Sequence, residues 1–131
     1  MTSKLTIAAA LVGVFLGAFE PTPLTAQTAN PPPAYVVVEF MVKEPDLFKD
    51  YAARAPATVM QYGGRVLVRG GKVEKVKGDE PRQGPVVILA FDSADQVKKW
   101  ASSPEYSELV PIRDKAADSR IFIVEGVSPA H

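Results

Sequence analysis

The stretch Tyr62-Gly63-Gly64-Arg65-Val66-Leu67-Val68-Arg69-Gly70-Gly71 decides the fold. Paired glycines bracket an alternating Arg-Val-Leu-Val-Arg segment. Gly63 is placed to end a preceding helix in the left-handed conformation that a Cβ disfavours. Arg65 to Arg69 reads as a short strand, and Gly70-Gly71 as the turn that leaves it. Alternation sends Val66 and Val68 to one face and Arg65, Leu67 and Arg69 to the other. Both guanidinium groups are therefore expected on the same side of a sheet. The glycines are not a phosphate loop, because they lack its lysine and its strand-to-helix setting.

Upstream, Tyr35 to Val42 is rich in valine, aromatic residues and methionine, and is too short for a typical helix, so it reads as a strand. Its even positions, Val36, Val38, Phe40 and Val42, are all apolar; its odd positions are Tyr35, Val37, Glu39 and Met41. Glu44-Pro45-Asp46 opens a helix, with proline near the first turn and an acid favourable to the helix dipole. Phe48, Tyr51, Ala55, Val59 and Tyr62 form one apolar stripe along it. Pro56 inside that stripe predicts a kink or a local restart.

Downstream, Lys72 to Lys77 reads as an exposed hairpin arm and Gly78 to Pro85 as a polar turn. Val86 to Phe91 is a third strand, apolar on both faces and therefore central. Asp92-Ser93-Ala94-Asp95 signals the start of a second helix, with Val97 and Trp100-Ala101 as its apolar contacts. Ser102-Ser103-Pro104 interrupts it. Further helix is expected from Glu105 to Ala117, with Pro111 as a candidate bend. Arg120 to Val127 reads as the last strand. There Ile121, Ile123 and Glu125 share one face, and Phe122 and Val124 the other.

The order β-α-β-β-α-β is the split pattern of α+β, ferredoxin-like domains, with two helices on one face of a four-stranded antiparallel sheet. Val36, Val38, Phe40, Val66, Val68, Phe122 and Val124 are expected to meet the helices. The open face then collects Tyr35, Val37, Glu39, Met41, Arg65, Leu67, Arg69, Ile121, Ile123 and Glu125. So large an apolar face points to an interface, here a homodimer packed sheet to sheet. Its charges either pair across that interface or hold a small anionic or carbonyl-bearing ligand, which arginine binds well.

The chain has 131 residues, with 15 basic and 15 acidic side chains. Lys4 precedes an apolar run from Leu5 to Phe19, and Leu24-Thr25-Ala26-Gln27 offers a cleavage site. Residues 1–26 therefore read as a secretory signal peptide. The run of about fifteen residues falls short of the ~20 that span a bilayer, so contact with the membrane is expected only during export. Removing Lys4 and Glu20 takes one charge of each sign from 15 and 15, leaving 14 of each. A neutral domain lacks the electrostatic footprint for nucleic acid. The chain contains no cysteine, which excludes lipoprotein attachment, disulfides, zinc thiolates, iron–sulfur clusters and a cysteine nucleophile. Residues 27–34 form a proline-rich linker, 35–127 the folded domain, and 128–131 a tail.

Several of these segments together resemble the domain of unknown function 1330 family. They are Tyr35 to Glu39, Gly63-Gly64-Arg65, Val68-Arg69-Gly70-Gly71, Phe91, Trp100, Ser103-Pro104-Glu105-Tyr106, Arg113 and Phe122-Ile123-Val124-Glu125-Gly126-Val127. The resemblance covers nearly all of residues 35 to 127. It implies a dimeric α+β barrel of two ferredoxin-like protomers and a bacterial source, and no particular activity. The leader and linker are a departure from the family. They imply an exported, periplasmic or extracellular protein.

The chemistry-bearing residues are few. His131 is the single histidine and stands at the terminus, so a haem or histidine-dependent metal site is not expected. No carboxylates show metal-ligand spacing, and no cofactor is expected. Without a histidine base in the core, Ser93, Ser102, Ser103, Ser107, Ser119 and Ser128 form no catalytic triad. Trp100 and Tyr106 flank the helix break as core residues or as a pocket wall. Arg113 pairs with Asp46, Asp114 or a ligand. Tyr62 donates into a pocket or caps its helix. The leading expectation is a small-ligand-binding module with its pocket near the open sheet face. Arg69, Glu39 and Tyr62 are its principal polar residues, and Arg65, Trp100, Tyr106 and Arg113 are further candidates. One alternative is a cofactor-independent monooxygenase or isomerase, in which Arg69 stabilises an enolate-like anion and Glu39 accepts the proton. The other is a purely structural dimer.

Overall fold

The computed structural model describes residues 30–128. The leader read at 1–26, the start of the linker and His131 lie outside the described residues. The elements run β1 (Ala34–Val42), α1 (Pro45–Gln61), β2 (Arg65–Arg69), β3 (Val86–Phe91), α2 (Ala94–Ala101), α3 (Pro104–Ser107), α4 (Val110–Ala116) and β4 (Ala117–Glu125). The strands form one antiparallel sheet in the order β2-β3-β1-β4. This is the ferredoxin-like α+β arrangement that the element order implied.

Local chemistry explains the element ends. Pro45 occupies the first turn of α1, where its missing N–H costs nothing, and Asp46 complements the helix dipole. The far end closes in a Schellman motif. Gly64 N–H donates to the Val59 carbonyl at 2.9 Å and Gly63 N–H to that of Met60 at 3.0 Å. Gly63 takes φ = 83°, as the motif requires. At α2 the Ser93 hydroxyl accepts the Gln96 N–H at 3.1 Å. Ser103 joins α2 to α3: its hydroxyl donates to the Trp100 carbonyl at 2.7 Å and accepts from Tyr106 N–H at 3.1 Å.

Some local expectations are corrected. Of the kink or restart anticipated at Pro56, the restart is absent, because α1 runs unbroken from Pro45 to Gln61. An interior proline costs about 3 kcal/mol. Tyr51 and Val59, buried on either side of it, hold the helix to the sheet. Residues 71–85 contain no strand, so the anticipated hairpin arm is an irregular exposed loop. The helical stretch after Pro104 is two short helices, and β4 follows α4 at Ala117 without a loop.

The core is one-sided. Ala34, Val36, Val38 and Phe40 of β1 and Leu89 and Phe91 of β3 pack against Tyr51, Val59, Val97, Trp100, Tyr106 and Leu109. Phe91, Val36, Val59 and Val97 are fully buried. Each such side chain contributes about 1.5–3 kcal/mol of hydrophobic stabilisation. Register corrects the faces of β4. Val36 pairs with Ile123 and Val38 with Ile121, so the isoleucines share the helix-side face. Phe122 and Val124 stand opposite Val37 and Tyr35 on the open face, the reverse of the expected arrangement.

Candidate functional site

The decisive departure from simple alternation lies inside β2. Val66 pairs with Leu89, but Val68 pairs with Ile88, so Leu67 is an extra residue with no partner. One inserted residue moves every later side chain to the opposite face. Arg65, opposite Ala90, stays on the open face with Tyr35. Arg69, opposite Val87, emerges on the helix side with Val38. The two guanidinium groups therefore do not share a face. Among the described residues neither arginine is in an ion pair.

On that helix side lies an apolar pocket of about 250 Å³, bounded by α1, the sheet, Trp100 and Tyr106. Ala52, Ala55 and Pro56 of α1 line it together with Val66, Val87 and Leu89 of the sheet. Arg69 and Gly70 contribute from the edge strand and its turn, and Arg69 remains exposed.

The pocket's helix-side wall carries a polar chain. Tyr51 and Tyr106 are buried, at 6% and 3% exposure, with their hydroxyls 2.7 Å apart. Arg113 Nη1 donates to the Tyr106 hydroxyl at 3.0 Å. Burial pushes the Tyr51 hydroxyl far above the ordinary phenol range, so Tyr51 stays protonated. Burial works against the Arg113 charge, but Tyr106 and Asp114 outweigh it and hold its pKa above the ordinary value. Trp100 stacks at 4.2 Å from Tyr106 and donates Nε1–H to the Thr58 hydroxyl at 3.0 Å. Thr58 passes the bond on to the Ala55 carbonyl at 2.7 Å.

A second polar group ties the end of α1 to α3. Tyr62 donates its hydroxyl to Glu105 Oε1 at 2.7 Å, and Gln61 Nε2 donates to Oε2 at 3.1 Å. The bond from Tyr62 pulls the Glu105 carboxyl below its ordinary range and raises the Tyr62 phenol. Glu105 immediately precedes Tyr106, so this latch positions the segment that carries Tyr106 to the pocket.

The residues singled out from sequence thus separate into groups. Arg69, Trp100 and Tyr106 line the pocket, and Arg113 stands behind Tyr106. Tyr62 is engaged with Glu105 outside the lining. Arg65 and Glu39 lie on the other face. Glu39 is bound there to Arg120, its direct cross-strand neighbour, at 2.7 Å. A proton acceptor at Glu39 and an anion holder at Arg69 therefore stand on opposite sides of the sheet and do not address one molecule. The pocket also lies between α1 and the sheet, not near the open face. The sequence does not single out Tyr51, Thr58 or Arg120 as site residues. Tyr51 was visible only as one member of the apolar stripe, and only tertiary pairing joins it to Tyr106. Among the described residues no three His, Cys, Asp or Glu side chains are grouped to hold a metal ion.

Comparison with known proteins agrees with this architecture. The family model described as domain of unknown function (DUF1330) matches residues 33–127. No curated protein matches the chain. Among solved structures, the chain is similar to RPA0582, a protein of unknown function from Rhodopseudomonas palustris. That match has 21% identity and a TM-score of 0.59, covering 75% of this chain and 85% of the other. It is also similar to a conserved protein of unknown function and possible oxidoreductase from Bacteroides thetaiotaomicron. There the identity is 14%, the TM-score 0.56, and the coverage 72% of this chain and 98% of the other. A third is SnoaB, a cofactor-independent oxygenase from Streptomyces nogalater, at 14% identity, TM-score 0.54, and 75% and 96% coverage. Likeness at these identities establishes the shared fold alone.

Proposed function

The chain belongs to the DUF1330 family, and from that premise we propose that it is a small-ligand-binding module whose site is the pocket between α1 and the sheet. The observation that carries this reading is an apolar chamber of about 250 Å³ whose lining includes Arg69, an arginine in no ion pair among the described residues. Most ligand sites are concave and mainly apolar, with a few polar groups that fix orientation. Arg69 suits an anionic or carbonyl oxygen. Binding is favoured over catalysis because the lining contains no carboxylate or histidine to act as a base. The Tyr51 phenol, raised by burial, is a hydrogen-bond donor and a poor proton acceptor.

Two coarser features complete the proposal. Two copies join through the open sheet face, a reading supported by exposed Met41, Phe122 and Val124 there. The leader of residues 1–26 supports export, to the periplasm or beyond, which mass spectrometry of the expressed protein tests by locating the mature N-terminus after Ala26. The binding site is tested by calorimetric titration of the full chain with 2-naphthoate. Saturable binding that Ala55→Phe abolishes, with the fold intact, is the expected result. Equal binding by that variant would place the ligand elsewhere.

A further inference from the structure

The tyrosine pair contains one more proton than its internal bonds use. Tyr51 and Tyr106 share a single O···O contact of 2.7 Å, which consumes one hydroxyl proton of the two. Arg113 donates into the Tyr106 oxygen at 3.0 Å. A cationic donor polarises the hydroxyl it binds, which makes Tyr106 the better donor of the pair and the poorer acceptor. The contact geometry admits either hydroxyl as donor, and this polarisation selects the order Arg113 to Tyr106 to Tyr51. That leaves the Tyr51 proton without an acceptor among the described residues, on a hydroxyl whose residue lines the pocket. A buried donor left unmet is unfavourable, and a ligand acceptor relieves it.

Size and shape narrow the ligand further. A dry protein cavity of about 150 Å³ accommodates benzene. A pocket of about 250 Å³ therefore exceeds a single ring. Its walls include the rings of Phe40, Phe48, Tyr51, Trp100 and Tyr106, several meeting edge to face. Flat aromatic partners suit such walls.

We infer that the ligand is a flat aromatic molecule of about two rings whose carbonyl or anionic oxygen accepts the free hydroxyl proton of Tyr51. This rests on the pocket reading above. It adds a second polar contact, independent of Arg69, in the buried part of the site. The burial that raises the Tyr51 phenol keeps that proton in place for donation.

Two neutral probes of nearly equal shape separate the claims: 2-acetylnaphthalene, which offers a carbonyl, and 2-ethylnaphthalene, which does not. Titrated into the full chain, the ketone is expected to bind about fivefold more tightly, the worth of one hydrogen bond. In Tyr51→Phe the preference vanishes while affinity for the hydrocarbon is kept. Equal, saturable binding of both probes by the natural chain overturns the Tyr51 inference and leaves the pocket reading standing. Binding of neither overturns the pocket reading, and this inference with it. A preference retained in Tyr51→Phe but lost in Tyr106→Phe overturns the assigned donor. Where Tyr51→Phe does not fold, the ratio in Arg69→Ala decides: a preference kept there supports the tyrosine donor, and one lost there overturns it.

Discussion

Arg65 and Arg69 bound the same five-residue strand and lie on opposite faces of the sheet. The unpaired Leu67 between them produces this separation. Arg65 is left to the open face, and Arg69 is delivered to the pocket.

Deleting Leu67 should restore plain alternation and return Arg69 to the open face. Its affinity for 2-naphthoate should then match that of Arg69→Ala. Because Arg69 is exposed and solvent-screened, the expected loss is modest, about two- to fivefold. Calorimetry on the two variants checks the equivalence. A deletion variant that binds like the natural chain would show that the bulge does not place the arginine.

Gly64 admits no side chain. A Cβ there would lie 2.6 Å from the Phe91 ring and 2.7 Å from Val59 Cγ1, both fully buried. Gly64→Ala should therefore cost about 1–3 kcal/mol by overpacking. Thermal unfolding should show Tm lowered by at least about 4 °C. An unchanged Tm would mean that this end of the core yields easily.

The Tyr62–Glu105 latch has a pH window. Glu105 has a lowered folded pKa, so its stabilisation is present above the unfolded value and lost as pH falls through the folded one. Tyr62 has a raised folded pKa, so its share is present below the unfolded phenol value and lost as pH rises through the folded one. Glu105→Gln should lower Tm near neutrality. The gap should close on the acid side of the carboxylate range and on the alkaline side of the phenol range. Melting curves across pH for both proteins check it, and a gap that persists in acid would contradict the latch.

Much of this fold was legible because β1 and α1 carry strong periodic patterns. The alternating run from Val36 to Phe40 and the stripe from Phe48 to Val59 each fix a buried face. Ser93 announced its helix because a serine hydroxyl there meets an orphan N–H. The faces of β4 were not legible. Ile121 to Val124 are apolar without interruption, so alternation has no phase there, and only pairing with β1 sets it. The bulge was equally hidden, since Arg-Val-Leu-Val-Arg alternates perfectly as text and its partner strand creates the irregularity. Arg69, Trp100 and Tyr106 could be singled out by type. Their meeting with Tyr51 depends on packing between elements far apart in sequence.

The open face should hold two copies together. Phe122, 43% exposed, stands opposite Val37 on that face. Phe122→Glu would bury a carboxylate in the interface without a designed partner. Light scattering should give a dimer for the natural chain and a monomer for the variant. A natural chain that is monomeric at all concentrations would remove the open face as the joining surface.

Trp100 is the chain's single tryptophan and part of the pocket wall, so its indole N–H gives one NMR signal that reports directly on occupancy. Titration of the full chain with 2-naphthoate should move that signal saturably, with weaker affinity in Arg69→Ala. A signal that stays fixed while the ligand binds elsewhere, or that moves identically in Arg69→Ala, would contradict a ligand site between α1 and the sheet that uses Arg69.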